Sequence, residues 1–537
     1  MRFDVEIVDL HQAEVRLTIV RDALNGKLRL FSSSFSIQIV ANLDKFRPLA
    51  LGTGRYSRPV LIAAAYLLPI ALIIHAITFW GRGIIDNEAM EFVLNYLLKR
   101  PLLAQIFDPA VNDWGAYQAR ELSYLFDLID ARVFAFLLDR HLLVFVPLSG
   151  VLGLIAFSAV YYWGARKIFG LTGVMTNMLL SLFLSCIVVQ ASTPVFYRSA
   201  KIILSIALLA FLFYTFSIVR SDKRNLTALK CATLFLLGLL MALCDRQGFY
   251  YLVSTTVVLL MLWLTAKPRT VIVEHPCLRV ILVNTGAIGT TIFYNRIFAP
   301  NLIHILNGYR PNFWYQNLPW SEFLDPTLPV KAWYFFRQQV SFFFGNVPFA
   351  LLAAIIAIAA LLIVRKRRAM INVNNLTVLA VSLASIAAIF VLIVTMIARH
   401  PDIYSIRDHS FWYYTLTIQV VILFGISAWL SFFAPADRSL FNPLFHALIV
   451  ILIGSNVLAY ARQRQIMIHS TEWFGTQYEH SQAFAAQFAT APPAREKLLR
   501  NSNDLFWDDE AHYLENVERA YLHFTGASRP DPDTQQP

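Results

Sequence analysis

Long apolar runs constrain this chain more than any other feature of its sequence. About eleven stretches are apolar over roughly 20 residues, the length at which a helix crosses the hydrocarbon of a bilayer. Apolar residues make up 57% of the 537 positions and charged residues 15%, too few for the surface of a soluble protein this long. The sequence therefore predicts an all-α polytopic membrane protein, with spans at 60–80, 142–163, 171–192, 202–219, 227–243, 249–266, 280–299, 348–364, 376–398, 411–430 and 443–460.

The apolar runs divide the chain into three parts. Residues 1–59 are polar and mixed, show no cleavable signal peptide pattern, and are predicted to be a cytoplasmic N-terminal segment. Loose alternation around Asn25-Gly26 hints at a β-hairpin in that segment, although a tail that orders only on contact explains it equally well. Residues 60–460 form the predicted transmembrane domain, and residues 461–537 a polar tail.

The distribution of basic residues predicts the orientation in the membrane. The short loops on one side carry most of the lysines and arginines, including the run Arg365-Lys366-Arg367-Arg368, which is typical of cytoplasmic loops. The net charge of +11 is explained in this way, and we expect no nucleic-acid partner. The N-terminus is then cytoplasmic, and the tail and two long loops, 81–141 and 300–347, lie outside. The sparse cysteines and the absent signal peptide favour a bacterial inner membrane with a periplasmic C-terminus, with an endoplasmic reticulum protein as the alternative.

Two carboxylates open the first long loop, in "GRGIIDNEAMEF". Asp86 and Glu88 are flanked by apolar residues that limit access of water, and burial raises the pKa of a carboxyl group, as suits a general base. The alternative is a pair of acids in the water just beyond a span. We take both as candidate catalytic residues.

The same loop contains a predicted amphipathic helix over residues 117–140. Arg120, Tyr124 and Asp127 fall at i, i+4 and i+7 and share one face. The opposite side is apolar and carries Leu125, Ile129 and Val133. Such a helix is expected to lie on the bilayer with its apolar side in lipid and its polar side facing a cavity. The alternative is that Arg120 and Asp127 merely pair to solvate an interfacial helix.

Cations are predicted on the same outer face. "TPVFYRSAK" places Arg198 and Lys201 where both reach one anion, although snorkelling to lipid headgroups explains them too. "CDRQGF" places Asp245 and Arg246 in a short turn between spans, where ionisable groups are functional or paired with each other. Arg407 lies in "RHPDIYSIRDHS". Together they are candidate ligands of a lipid phosphate, on which cations stabilise the charge that develops as the phosphate leaves.

This layout resembles the GT-C superfamily of integral membrane glycosyltransferases, which use polyprenyl-phosphate-linked sugars. The family has an acidic pair at the start of its first long outer loop, interfacial helices after it, and a second long outer loop. Here the pair is Asp86-Asn87-Glu88, which departs from the commonest D-E-x-x-Y form by the insertion of Asn87 and leaves open which acid is the base. The resemblance implies a GT-C-like fold and a hexosyl- or pentosyltransferase, inverting, that acts on a glycan, lipid or protein acceptor.

Two other classes stay open. One is a transporter or flippase of a lipid-linked substrate, against which the gathering of polar groups at one edge of the spans counts. The other is a non-catalytic scaffold in which Asp86 and Glu88 are solvated. No metal-binding motif is present; Glu121, Asp127 and Asp130 offer oxygens to a divalent cation such as Mg²⁺ or Mn²⁺, but nothing in the sequence fixes a coordination shell.

Overall fold

The fold is taken from a computed structural model. It describes residues 2–7, 15–20, 103, 106–107, 116–117, 121–140, 148–190, 200–220, 227–265, 276–308, 310, 312–313, 324–344, 389–390, 392–394, 412–433 and 448–459. The predicted span 60–80, the span 348–364, most of the span 376–398 and the tail 461–537 lie outside these residues.

The apolar body within the described residues is helical. Its helices are α1 (Glu121–Asp139), α2 (Leu148–Lys167), α3 (Gly173–Gln190), α4 (Ala200–Arg220), α5 (Ala228–Cys244), α6 (Arg246–Thr265), α7 (Pro276–Phe293), α8 (Ala299–Asn307), α9 (Leu328–Phe343), α10 (Trp412–Phe433) and α11 (Leu448–Ala459). The predicted spans between 142 and 299, and those at 411–430 and 443–460, are thus helices. Among the described residues, three segments are long and apolar enough to cross a membrane: Leu148–Lys167, Lys201–Val219 and Cys277–Asn307.

Among the described residues, strands are few and short. An antiparallel pair joins β1 (Arg2–Ile7) to β2 (Val15–Val20). The turn of the hairpin expected around Asn25-Gly26 and its second half lie outside the described residues; β2, in its first half, pairs with β1. A second, parallel pair joins β3 (Ala116–Tyr117) to β4 (Asn312–Phe313).

The helices alternate in direction. Glycine contacts fix this, because Gly153 of α2 meets Ile202 and Gly164 meets Phe213, so α2 and α4 run parallel. Around Asp245, Gly248 meets Met241, so α5 and α6 form an antiparallel hairpin. Helices α2, α4, α6 and α10 therefore begin at one end of the bundle, where α3, α5, α7 and α11 finish. We call this end, which contains the N-terminus of α4, the Lys201 end.

Small residues and aromatic rings hold the helices together. The Gly164 Cα lies against the ring of Phe213, so a side chain at 164 would enter that ring. Such close approaches are typical of packing between membrane helices, where apolar burial alone supplies little driving force. Near the opposite end of the bundle, Phe169 packs against the rings of Phe213, Phe216 and Phe424 at centroid distances of 5.0–5.2 Å. These contacts join the connection after α2 to α4 and α10.

Helix α7 continues beyond its predicted end. A π-helical segment, Tyr294–Phe298, connects it to α8, so that Cys277–Asn307 is one helical stretch of 31 residues. Pro300 lacks the N–H of a regular helix, which accounts for the wider turn just before it. At 1.5 Å per residue the stretch is about 46 Å long, against about 30 Å of hydrocarbon. The stretch is thus longer than a membrane crossing requires, and Gly308, with φ 77°, terminates it.

Candidate functional site

Some of the predicted site residues are among the described residues, and others are outside them. Tyr124, Lys201, Asp245 and Arg246 are described, and all four are buried. Asp127 lies on α1, but its side chain is outside the described residues. Five further candidates are outside as well: Asp86, Glu88, Arg120, Arg198 and Arg407.

Asp245 forms the whole connection between α5 and α6. Its backbone is extended, with φ −164° and ψ 157°, which ends α5 after Cys244. Its Oδ1 atom accepts a hydrogen bond of 2.9 Å from the backbone N–H of Gln247, and its carbonyl accepts one of 2.9 Å from Gly248. Asp245 thus caps the N-terminus of α6, where a carboxylate also complements the helix dipole.

Gly248 makes this tight turn possible. A Cβ atom at position 248 would lie 1.9 Å from the carbonyl oxygen of Met241, well inside any allowed contact. The absence of a side chain therefore lets the first turn of α6 rest directly on the last turn of α5. This close approach brings residues 245–247 under the N-terminus of α4.

Lys201 reaches this turn from α4. Its ammonium Nζ lies 2.8 Å from Oδ2 of Asp245, and the two side chains are 0% and 3% exposed. The same Nζ donates a hydrogen bond of 3.2 Å to Oε1 of Gln247. The sequence left open whether Asp245 and Arg246 are functional or pair with each other; the structure gives Asp245 a partner on another helix, Lys201. Each of these buried charges has lost its hydration, which is costly, and the contact with the opposite charge offsets that cost. Loss of either partner would leave the other charge buried and uncompensated.

The ion pair belongs to a longer hydrogen-bonded chain. Gln247 Oε1 also accepts a hydrogen bond of 3.1 Å from Oγ1 of Thr417, on α10. The hydroxyl of Tyr251 lies 3.4 Å from the same Thr417 atom. Both hydroxyl residues are buried, Thr417 completely. The chain therefore ties α4, α6 and α10 together at the Lys201 end.

A second chain lies at nearly the same depth. Gln419 is two residues from Thr417, about 3 Å along the axis of α10. Its Nε2 donates a hydrogen bond of 2.9 Å to Oε1 of Gln339 on α9, and its Oε1 lies 3.9 Å from Sγ of Cys186 on α3. Beside Cys186, the Oγ of Ser185 accepts a hydrogen bond of 2.9 Å from Asn456 of α11. We call the two chains together the polar layer: Ser185, Cys186, Lys201, Asp245, Gln247, Tyr251, Gln339, Thr417, Gln419 and Asn456.

Helix α1 presents its polar side to this end of the bundle. The hydroxyl of Ser123 donates a hydrogen bond to the carbonyl of Cys244, the last residue of α5. Asp130 accepts two bonds from Ser149 at the start of α2, 2.8 Å from the backbone N–H and 2.5 Å from the hydroxyl. Tyr124 is 2% exposed. Tyr124 of the predicted polar side is therefore buried, and Ile129 of the predicted apolar side is 40% exposed; Arg120 and the side chain of Asp127 are outside the described residues.

The two long predicted loops meet beside α1. Strand β3 belongs to the first loop and β4 to the second, and they pair in parallel. Asn307, at the end of α8, donates a hydrogen bond of 3.2 Å to the carbonyl of Phe107. A small apolar cluster around Ala299 and Ile303 adds contacts from Phe107 and from Leu243 of α5. We call Phe107, β3, α8 and β4 together the cap; it contacts the Lys201 end through Leu243, in the last turn of α5.

The site can hold charge away from water. Arg246, at the first position of α6, is a second buried cation beside the ion pair, 7% exposed. Within the described residues no group of three or more His, Cys, Asp or Glu side chains is placed to hold a metal ion. Of the acids considered for a divalent cation, Asp130 is bound to Ser149 as above, and Glu121 is buried.

Of the ten members of the polar layer, sequence reasoning singled out Lys201 and Asp245 and missed the other eight: Ser185, Cys186, Gln247, Tyr251, Gln339, Thr417, Gln419 and Asn456. Gln247 was visible inside "CDRQGF", directly after the residues singled out there. The other seven are uncharged and stand in mostly apolar runs, so they leave hydropathy almost unchanged. Only their contacts across helices identify them. Compared with protein-family models, curated proteins and solved structures, the chain matches none.

Proposed function

We propose that this chain is an integral membrane glycosyltransferase of the GT-C type, which moves a sugar from a polyprenyl phosphate to a glycan, lipid or protein acceptor outside the cytoplasm. The observation that supports it best is the Lys201–Asp245 ion pair, 2.8 Å long and buried at the end of the bundle that α1 and the cap contact. Buried charges near the end of a membrane bundle are costly and generally serve a function. A reaction on a charged lipid headgroup requires charged side chains at the end of the bundle, where the headgroup lies.

In this proposal Asp86 is the general base and Glu88 supports it or the acceptor. Asp86 takes the proton of the acceptor hydroxyl while that oxygen attacks the anomeric carbon, and the polyprenyl phosphate leaves with the electrons of the broken bond. Arg198, Arg246 and Arg407 stabilise the charge on the leaving phosphate, and Arg120, Tyr124 and Asp127 contact substrate from α1. Lys201 and Asp245 enter as a positioning pair, because the Lys201 ammonium is bound to Asp245 and Gln247.

The purified protein in lipid vesicles tests this proposal. Mass spectrometry of the lipids that copurify identifies the polyprenyl-phosphate sugar, which then serves as the donor in a transfer assay. We expect Asp86→Asn to lower the rate of transfer by at least about 100-fold, the low end of what a general base contributes, with folding unchanged. Asp325→Asn is the matched control, because Asp325 lies on the approach to α9 and outside the polar layer. Full activity of the Asp86 variant would remove the catalytic assignment.

A transporter or flippase of a lipid-linked substrate is the second candidate. It is favoured by one observation, the polar layer itself, because it crosses α3, α4, α6, α9, α10 and α11 inside the bundle. Movement of a labelled lipid-linked sugar between leaflets distinguishes the two. If the chain is a transporter, the labelled lipid should still move between leaflets in Asp86→Asn and should stop moving in Lys201→Met. If it is a transferase, neither change should alter the movement of the lipid between leaflets.

A further inference from the structure

Helix α1 has the opposite polarity from a surface helix of a soluble protein. Its inward side carries Ser123, Tyr124 and Asp130, all at most 3% exposed. Its outward side carries Ile129 and Phe136, which are 40% and 54% exposed. A helix in water buries its apolar side, so this arrangement is favourable where an apolar environment, such as lipid hydrocarbon, covers the outward side.

The outward side forms a groove of about 700 Å³. Among the described residues, its lining contains buried Leu128 and exposed Ile129 and Phe136. The other described lining residues are Leu125, Arg132 and Val133, so five of these six are apolar. The volume lies in the range of sites that hold a small molecule or a lipid chain.

Among the described lining residues, Arg132 is the charged one. It is exposed and lies one turn from both Ile129 and Phe136, which are exposed apolar residues. Among the residues that the structure describes, no acidic side chain pairs with it. A cation inside an apolar groove complements a molecule with a hydrocarbon chain and an anionic head. The chain contacts the apolar side chains, and the anionic head pairs with the cation.

The end of the groove is fixed by a neighbouring arginine. Arg140 lies with its guanidinium carbon 3.5 Å from the centre of the Phe136 ring, and its Nη1 donates a hydrogen bond of 3.2 Å to the Phe136 carbonyl. This cation–π contact holds the ring at the groove edge. Arg140 is thereby engaged in its own helix, and Arg132 is the cation presented to a ligand.

We propose that this groove binds an anionic phospholipid of the surrounding bilayer, with one acyl chain along Leu125, Leu128 and Val133 and the phosphate at Arg132. The site is on the opposite side of α1 from the polar layer, so it is separate from the proposed transferase site. The bound lipid covers the apolar side of α1 and holds the helix, and with it the first long loop, at the membrane surface. The inference does not depend on glycosyl transfer.

Site-specific photocrosslinking tests the proposal without any enzyme assay. A photoreactive amino acid replaces Ile129 in the full chain, which is reconstituted into vesicles of phosphatidylcholine alone or of phosphatidylcholine with phosphatidylglycerol. Mass spectrometry counts each lipid attached. We expect phosphatidylglycerol to be captured several-fold above its share of the bilayer, and Arg132→Gln to return the capture to that share. Arg166→Gln is the control, because it removes an equal, exposed charge at the opposite end of α2.

Each other outcome overturns the proposal. Capture in proportion to bilayer composition would show that Arg132 selects no headgroup. Capture of a peptide of the same chain would show that protein, not lipid, covers the groove. Selection that persists in Arg132→Gln but disappears in Arg166→Gln would place the anion site elsewhere. Near-ultraviolet circular dichroism of each variant verifies that the bundle is folded before capture is compared.

Discussion

The ion pair between Lys201 and Asp245 has different consequences when one partner or both are changed. Lys201→Met leaves the Asp245 carboxylate buried without the ammonium that lies 2.8 Å away. We expect this single change to cost about 3–5 kcal/mol of unfolding free energy, as is usual when one member of a buried pair is removed. Asp245→Asn should also destabilise, although asparagine keeps the capping of α6.

The double variant Lys201→Met/Asp245→Asn provides the control for this pair. It contains neither charge. We therefore expect its loss of unfolding free energy to be smaller than the sum of the losses of the two single variants by at least about 1 kcal/mol. Equilibrium unfolding in mixed micelles measures all four proteins. Strict additivity would contradict a direct interaction between the two side chains.

Gly248 gives a second prediction at the scale of one residue. Gly248→Ala places a methyl group 1.9 Å from the Met241 carbonyl, and backbone on both sides prevents it from moving away. We expect a loss of at least about 1–3 kcal/mol, the usual cost of overpacking, and a lower thermal midpoint. Gly289→Ala is the matched control, because nothing lies within 4 Å of a Cβ there, and alanine favours a helix. Equal midpoints for the two variants would refute the close approach.

At the scale of elements, the start of α9 depends on one carboxylate. Asp325 accepts hydrogen bonds from Oγ1 and the backbone N–H of Thr327, at 2.7 and 2.8 Å, and lies 3.0 Å from the Lys331 ammonium. The side-chain bond from Thr327 is the largest cause, and together these contacts lower the pKa of Asp325 to about 2. The charged form is the bonded one, so the contacts are complete above the ordinary pKa and are lost as the pH falls through about 2.

Carbon-13 spectra of the aspartate carboxyls, in protein labelled at aspartate, test this value. The Asp325 signal is assigned by its disappearance in Asp325→Asn. We expect its titration midpoint near 2. A midpoint at the ordinary value of an aspartate would mean that the bonds from Thr327 do not form in solution.

How far the sequence predicts this fold differs between elements. Hydropathy is enough to find α2 to α7, α10 and α11, since each carries a run of apolar residues. The spacing of Tyr124 and Ile129 predicts which side of α1 faces inward. The extension of α7 through Tyr294–Phe298 into α8 could not be predicted, because Pro300 ordinarily indicates a helix boundary. Cross-helix partners such as Gln419 and Gln339 depend on rotation of each helix, which no local pattern encodes.

The candidate site is predictable only in part, because its contacts also depend on how the helices are rotated and packed. The sequence indicates that Lys201 and Asp245 lie at one end of the bundle, and both are found there. It does not indicate that they bind each other, because the pairing requires the α5–α6 turn to be as tight as Gly248 permits. The assignments of Asp86 and Glu88 stay predictions, and the Asp86→Asn assay described above decides them.

At the scale of the whole molecule, the cap should behave as one unit, because β3 and β4 join the two long loops. Cysteines at the paired positions Ala116 and Asn312 are expected to form a disulfide on mild oxidation. A protease site placed between them and gel electrophoresis under non-reducing conditions detect the link. Each single variant is the control, and separation of the two fragments would contradict the pairing.

The orientation in the membrane is testable with the same chemistry. His304 on α8 and Ala228 at the start of α5 are both exposed and lie at opposite ends of the bundle. With Cys231 replaced by serine, we expect a membrane-impermeant maleimide to label His304→Cys in intact cells, and to label Ala228→Cys only after permeabilisation. The reverse pattern would invert the predicted topology.

The hydrogen bond from Ser123 to the Cys244 carbonyl joins residues 121 positions apart. The ribosome therefore completes α1 long before the group that accepts this bond exists, and Ser149, the partner of Asp130, also follows it. Until these partners are synthesised, the Ser123 hydroxyl and the Asp130 carboxyl of the nascent helix remain hydrated at the membrane surface. Docking of α1 is thus a late step of biogenesis, set by emergence of the α5–α6 hairpin.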